Sequence, residues 1–450
     1  MHFKSVANQI LFYHLRAAYQ EALPHARLAL ADHMLKIAGE EMDLAKRQIC
    51  KNGTERCAYR TRSRCSMVNI MARSELIDTL ADLIRIKSVN PAYDPAQSET
   101  EVQKFVMSFF ETQGIEVWEQ LVFPGRPNVI ARLEGRNPSR RIVFEAHCDT
   151  AGVEGMVIPP FEPQIKNGRV YGRGACDTKA GLAAMMLAVS DLKKSGQRPR
   201  SEVWVVSAVD EEYAFQGVLK LRENLQAAAA VVSEPTEMNM ATASKGCLRW
   251  RITVQGKAAH SSKPHLGTNA IEHMARIVSL LEEHSAHLKH LKHPLLGSPT
   301  LNVGLIQGGT QVNIVPESCW IEVDRRLVPG EEPEKVLSDY RELLMGFRPS
   351  QPEIKVAVEP AALQDQPLET PADCAVVAHT ARVLKEIGLD PRPCGVPFGS
   401  DASKLSRAGI PSIILGPGSI EQAHTVDEFV EIEQVEKAFA AYQRLMKVFE

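Results

Sequence analysis

From about Ser74 to the C-terminus, apolar positions switch repeatedly between a helical and an extended period. SELIDTLADLIRI sets its apolar residues at helical spacing behind a serine cap. IEVWEQLVF, NVIARLEG and RIVFEAHCD are short β-branched runs bounded by turn residues, the pattern of buried strands. TKAGLAAMMLAVSDLKKSG returns to helical spacing, with lysines in its last turn and a glycine stop. Strand VWVVSAV, helix FQGVLKLRENLQ and strand AAVVSEP continue the alternation, which predicts a mostly parallel sheet. Near Ala241 the rhythm changes. CLRWRITVQGKAAH reads as a long alternating strand, GTNAIEHMARIVSLLEEH as a helix, and LNVGLIQGG and CWIEVDRRLV as two strands. Helix EEPEKVLSDYRELLMGF and strand EIKVAVEP complete a β-α-β-β-α-β order, that of a ferredoxin-like unit. Helices ADCAVVAHTARVLKEIG and DASKLSRAG, strand PSIILG and helix QVEKAFAAYQRLMKV then resume the first pattern. The expected fold is α/β: a mostly parallel-sheet domain over 67–241 and 359–450, with an inserted ferredoxin-like α+β domain over 242–358.

Residues 1–66 break the pattern. Apolar helical stretches precede a basic tract, KRQICKNGTERCAYRTRSRCSM, with no signal-peptide architecture. They read as an N-terminal extension, disordered or lying upstream of a true start at Met67 or Met71. Cys50, Cys57 and Cys65 with His33 match no zinc-module spacing.

Composition narrows the functional classes. Hydrophobic residues make up 44% and charged residues 24%, and the net charge is −3. This is ordinary for a globular protein and gives no pull toward nucleic acid or an acidic membrane. No apolar run reaches the roughly 18 residues that span a bilayer. The nine cysteines form no C-x-x-C pair, which points to a reducing compartment and a cytoplasmic protein.

The chemistry gathers at the ends of the strands. RIVFEAHCD ends in His147 and Asp149, EVWVVSAVDEE in Glu211 and Glu212, AAVVSEP in Glu234, and PSIILGPGSIEQAH in His424; Asp177 sits in the glycine-rich turn YGRGACDTKAG. Open α/β sheets bind ligands at the carboxyl ends of their strands. Carboxylates and imidazoles collected there would repel and desolvate one another unless cations held them. A pair of divalent metals is the economical explanation. Cys148 and Cys176 read as small buried fillers, because a hard, carboxylate-rich set does not call for thiolate. Asp210 reads as turn or salt-bridge structure. His265, His273, His284, His287, His290 and His293, with lysine and leucine neighbours, read as a solvated helix face.

HCD, YGRGACDTKAG, VDEE, SEPT, KG, GKAAHSSKPHLGTNAIE, GGTQVNIVPE, DRR, FGSDA and GPGSIEQAH occur in that order. In this series the chain resembles the di-zinc amidohydrolases that include acetylornithine deacetylase, succinyl-diaminopimelate desuccinylase, aminoacylase and glutamate carboxypeptidase. The resemblance runs from about Ser74 to the C-terminus and implies a zinc-peptidase-like catalytic domain. It implies that Asp177 bridges two metals, that His147 and Glu234 complete one, and that Glu212 and His424 complete the other. Zn²⁺ suits such donors, as do Co²⁺ and Mn²⁺. Asp149 would orient His147 from behind. Glu211 would be the general base that takes a proton from the metal-bridging water and delivers it to the leaving amine.

The resemblance also implies that His260 reaches an active site, in dimers that of the partner subunit. Asn313 and Arg326 would bind the substrate carboxylate or stabilise the oxyanion. Arg325 is an alternative that makes an ion pair within the sheet. Gly399 and Ser400 precede a helix start suited to an anion. The implied reaction is amide hydrolysis of an N-acyl amino acid or dipeptide. GPGSIEQAHTVDEF and SEPT look most like acetylornithine deacetylase, which would place the chain in arginine biosynthesis. FGSDA departs toward the desuccinylase and carboxypeptidase pattern, so a desuccinylase or a dipeptidase remains open. A non-catalytic relative would have lost the base or a ligand, and all are present.

Overall fold

The computed structural model describes residues 74–346 and 354–450; the expectations for residues 1–66 lie outside them. A nine-stranded sheet forms the larger layer. Its centre is parallel: Ser201–Ala208, Asn137–His147, Ala229–Val232 and Ser412–Ile414 run side by side in that order. Arg126–Leu133 and Glu116–Phe123 extend one edge in antiparallel sense. Ala241–Ser244 continues the other edge beside Ser412–Ile414, with Leu368–Glu369 and Cys394–Val396 as its own neighbours.

The two-residue period explains why this sheet is covered on both faces. Ile142 and Phe144 point into a core shared with helices 74–85, Thr100–Thr112, Lys179–Lys194, Ala375–Glu386 and Ile432–Val448. Val143, between them, points into a second core with Val218, Leu221, Ala402 and Leu405 from helices Gln216–Arg222 and Asp401–Arg407. Strands buried on both faces carry continuous apolar runs, as the sequence does. FQGVLKLRENLQ yields only the helix Gln216–Arg222. Leu225 still joins Val218 and Leu221 in the second core beyond the helix end.

The second sheet is antiparallel. Thr300–Gly308, Ser318–Leu327, Gly246–Gln255 and Lys355–Val358 lie in that order, and Leu363–Asp365 also pairs with Gly246–Gln255. In chain order this is 2-3-1-4, the ferredoxin-like arrangement. Helices Ala270–Leu288 and Pro333–Gly346 cover one face through Met274, Ile277, Leu281, Leu337, Tyr340 and Leu344.

His273 corrects the solvated-face reading. It is only 2% exposed, at helical spacing with Ala270, Met274 and Ile277 on the buried side, and burial lowers its pKa. His284 lies edge-on to the Tyr340 ring.

Candidate metal centre

His147 closes the central parallel strand and is 2% exposed. Its Nε2 lies 3.1 Å from Asp177 Oδ1, and 4.0 Å from both Glu234 Oε1 and Glu211 Oε2. Across the ring, Nδ1 lies 3.0 Å from the Asp149 carbonyl oxygen and 3.5 Å from Asp149 Oδ1. The other oxygen of Asp177 stands 3.2 Å from His424 Nε2, which is in turn 3.0 Å from Glu212 Oε2. Two donor sets result: His147, Asp177 and Glu234, and Asp177, Glu212 and His424, each with its ligand atoms within 4.8 Å of one another. Asp177 belongs to both.

Each loop is pinned by groups outside the donor sets. Glu428, fully buried, accepts from Cys176 N at 2.8 Å, Asp177 N at 3.1 Å and Gly174 N at 3.1 Å, and pairs with Arg173 at 2.7 Å. It thereby fixes the turn that presents Asp177. Thr178 Oγ1 donates to the His147 carbonyl at 3.0 Å. Gly181 lets the following helix close on Ser233, whose Oγ would stand 1.7 Å from an added Cβ. Glu211 and Glu212 lie in a turn after strand Ser201–Ala208, rather than on an extended chain. Their N–H groups both donate to the Asp149 carboxylate, at 3.2 and 3.1 Å. Asp210 sits at φ +66° and pairs with Arg126, the turn and salt-bridge role read from the sequence.

The electrostatics are those of a site shaped around cations. Burial pushes the Glu211 carboxyl up to about 8; His147 partly offsets this, and the Glu212 and Asp177 carboxylates add to it. Burial likewise drives Glu234 well above the usual carboxylate range. Burial acts upward on Asp177 too, but His147 and His424 outweigh it and hold it far below that range. His424 is pushed up to about 11 by its bonds to Asp177 and Glu212. Burial opposes charge on His147, yet Asp149 and Asp177 raise its pKa well above normal.

Glu234 Oε1 is buried with no hydrogen-bond partner, an arrangement that costs free energy unless a cation meets it. Two divalent ions fit this set: mixed His and carboxylate donors, an orphaned inward oxygen, and one carboxylate shared between the groups.

The remaining expected site residues lie elsewhere. His260 is exposed on the short strand Ala259–His260, where its Nδ1 meets Ser262 Oγ at 2.8 Å. Asn313 stands beside it, its carbonyl accepting from Ser261 N at 2.9 Å. Neither bonds to the donor sets. Arg326 is half-buried on the open face of the second sheet, 2.9 Å from Asp324. Arg325 is 1% exposed and pairs with Glu331 at 2.5 Å; Glu331 lies in the loop after Ser318–Leu327, so the ion pair is not within the sheet as expected. Gly399 packs where an added Cβ would meet Asp365 Oδ2 at 2.0 Å. Ser400 is fully buried, its Oγ without a partner.

Sequence reasoning missed Glu428, although it sits in the quoted GPGSIEQAHTVDEF; burial is its only signal. It also missed Tyr93, exposed and donating to the Glu212 carbonyl at 2.7 Å. Asn90, Glu99 and Arg126 carried no local motif.

Known proteins resemble the chain along most of its length. An acetylornithine deacetylase of Myxococcus xanthus is 30% identical over 391 residues, covering 82% of this chain and 96% of that protein. A probable carboxypeptidase of Aspergillus clavatus is 28% identical, covering 85% and 90%. Among solved structures, a tripeptidase from Staphylococcus aureus superposes with TM-score 0.69 at 23% identity, over 83% of this chain and 98% of that one. A dinuclear metal-binding peptidase of Bacillus subtilis superposes with TM-score 0.62 at 16% identity, over 84% and 98%. The model of Peptidase family M20/M25/M40 matches residues 143–448, which include both donor sets and Glu211; the chain belongs to that family and is one of its hydrolases.

Proposed function

We propose that this hydrolase removes the acyl group from an N-acyl amino acid of the N-acetylornithine type, using two divalent metals held by His147, Asp177, Glu212, Glu234 and His424. The observation that carries the reading is Asp177, shared by both donor sets, with the Glu211 carboxylate 4.0 Å from His147 Nε2. Bound there, two divalent cations (Zn²⁺, Co²⁺ or Mn²⁺ by donor type) would supply Lewis acidity toward an amide carbonyl and acidify water.

The residues do the rest. Glu211, raised to about 8 by burial and its acidic neighbours, becomes a base once cations offset those neighbours. It takes a proton from the attacking water as the new C–O bond forms, then gives it to the nitrogen as the C–N bond breaks. Asp149 holds His147 in one tautomer. Arg326 offers its planar fork to the α-carboxylate of the substrate. Gly399, packed against Asp365, and the fully buried Ser400 would support the start of helix Asp401–Arg407 rather than touch the substrate.

The inserted unit completes the site in a homodimer. Thr300–Gly308 is an edge strand with Leu305 56% and Ile306 60% exposed, an invitation to pair with a second copy. His260 and Asn313 of that copy would then supply oxyanion donors. The similarity to an acetylornithine deacetylase supports the acetyl choice and a place in arginine biosynthesis. No helix among the described residues is long and apolar enough to cross a membrane, and the described cysteines are free; both suit a cytoplasmic enzyme.

Desuccinylation is the second reading, favoured by one observation. Arg249 stands beside Arg326 on the same sheet face, and both hold Asp324, at 2.8 and 2.9 Å. This is a second guanidinium for a second carboxylate. The test is a panel of N-acetylornithine, N-succinyl-diaminopimelate, other N-acyl amino acids and dipeptides with metal-loaded protein. Preference for the acetyl substrate supports the first reading, and preference for the succinyl substrate the second. Inactivity on the whole panel sinks both.

A further inference from the structure

We propose that Asn90 and Arg126 are positioning residues that clamp the corner Asp210–Glu212, and with it the base and one metal ligand. The inference rests on the roles given above to Glu211 and Glu212, and goes beyond them by naming what holds those side chains in place.

The corner follows strand Ser201–Ala208 and leaves the ladder, so sheet hydrogen bonds do not fix it. Asp210 is held at φ +66°, a conformation that a non-glycine residue keeps only when its surroundings impose it. The imposing groups form a continuous buried chain. Arg126 makes a two-pronged pair with Glu99, both contacts 2.6 Å, and its Nη2 also reaches Asp210 Oδ1 at 3.2 Å. Glu99 returns to the corner by accepting from Asp210 N at 3.2 Å. Asn90 Nδ2 is shared between Asp210 Oδ1 at 3.1 Å and Asp149 Oδ2 at 2.8 Å. Asp149 then accepts the N–H groups of Glu211 and Glu212 and faces His147. Glu99, Asn90, Asp149 and Asp210 are each at most 3% exposed.

The charge arrangement makes the clamp specific. One guanidinium stands against Glu99 and Asp210, while Asn90 spans the gap to Asp149 with a neutral donor. Replacing Arg126 removes the only counter-charge given to Glu99 and Asp210 among the described residues, and replacing Asn90 removes the donor that Asp210 and Asp149 share. The relief of these carboxylates would be to part, and parting moves the N–H groups that set the directions of Glu211 and Glu212. Asn90, Glu99, Asp149 and Asp210 are buried from solvent, so loss of the network acts on the geometry of the reacting groups rather than on binding. A misplacement of about 1 Å near the reacting groups costs about a hundredfold in rate.

The experiment compares Arg126→Gln, Arg126→Lys and Asn90→Asp with Glu211→Gln. For each, kcat, KM and metal content are measured, with the visible spectrum of the cobalt-loaded protein and the melting temperature. The expected result for Arg126→Gln and Asn90→Asp is full metal loading, KM within about twofold, and kcat lower by about tenfold to a hundredfold. The cobalt band should shift, because Glu212 lies on the same corner. Arg126→Lys, which keeps the charge but not the fork, should recover part of kcat and remains informative should Arg126→Gln fail to fold. Wild-type kcat and an unshifted band at full loading, with only a lower melting temperature, would reduce the network to a fold brace and overturn the proposal. If Glu211→Gln itself turns over normally, the base role falls instead. The cobalt band of Asn90→Asp then decides the positioning of Glu212 on its own.

Discussion

Glu428→Gln tests how the Asp177 turn is held. Glu428 is fully buried, and its two oxygens serve opposite sides. Oε1 takes the N–H groups of Cys176 and Asp177, and Oε2 takes that of Gly174 and the Arg173 guanidinium. A glutamine amide can keep only one of those sides. With its oxygen toward Cys176 and Asp177, its NH₂ faces two donors; turned over, it abandons the Asp177 turn. Either way Arg173, 3% exposed, loses its counter-charge. Removing one partner of a buried ion pair costs about 3–5 kcal/mol, a large part of the roughly 5–15 kcal/mol that holds a typical domain. Urea unfolding of the metal-free protein should show a loss of that size. Because the same carboxylate anchors Asp177 N, metal affinity should fall by about 10- to 100-fold, the usual effect of outer groups that orient ligands. A stability loss under about 1 kcal/mol with unchanged metal affinity would refute the reasoning. The turn would then be held by other contacts, such as Lys179 N to the Gly174 carbonyl at 3.0 Å.

Glu211→Gln should lower kcat by about 10²- to 10⁴-fold with metal content unchanged; normal turnover would remove Glu211 from proton transfer. Loading the metal-free protein at pH 7 should release protons. His424, raised to about 11, and Glu211, raised to about 8, both hold protons at that pH, and cations displace them. Calorimetry in buffers of different ionisation enthalpy reads the release, and a buffer-independent heat would contradict it. Lys179, fully buried and bonded to the Leu83 and Ile86 carbonyls, has its pKa lowered from 10.5 to about 8 by burial. Between those values the unfolded chain holds the proton and the folded chain does not, so stability rises with pH across that window. The rise is of order 3 kcal/mol and should vanish in Lys179→Met; identical slopes for the two proteins would contradict it.

The fold was legible because its signal is local. Ile142, Val143 and Phe144 announce a strand buried on both faces, and the change to alternating strands after Ala241 announces the second sheet. The gathering of acids and histidines at one sheet end was legible for the same reason, since each closes its own apolar run. The clamps were not. Asn90 meets Asp149 from 59 positions away, and Arg173 meets Glu428 from 255, and nothing in either neighbourhood marks a buried polar group. His273 shows the opposite failure: lysines and histidines nearby suggested solvent, while its helical spacing with Met274 and Ile277 placed it in the core. Glu211 and Glu212 close an apolar run in the sequence, yet they lie off the strand, because it ends at Ala208 and Asp210 turns the chain at positive φ. Arg325 and Arg326 were separable only once burial was known.

The chain passes between its two sheets twice, and the passages are stitched together. Ala243 and Ser244 pair with Glu369 and Leu368, and Cys247, Leu248 and Arg249 pair with Asp365, Gln364 and Leu363. Between them, Gly246 lies so close to the returning strand that an added Cβ would meet the Asp365 carbonyl oxygen at 2.5 Å. The connection is therefore a two-ply ribbon rather than a pair of independent strings. Such a ribbon bends about one axis and resists shear between its plies. Any swing of the second sheet toward the metal centre is confined to that axis, and a side chain at position 246 would press on the returning strand and loosen the ribbon between its two paired stretches.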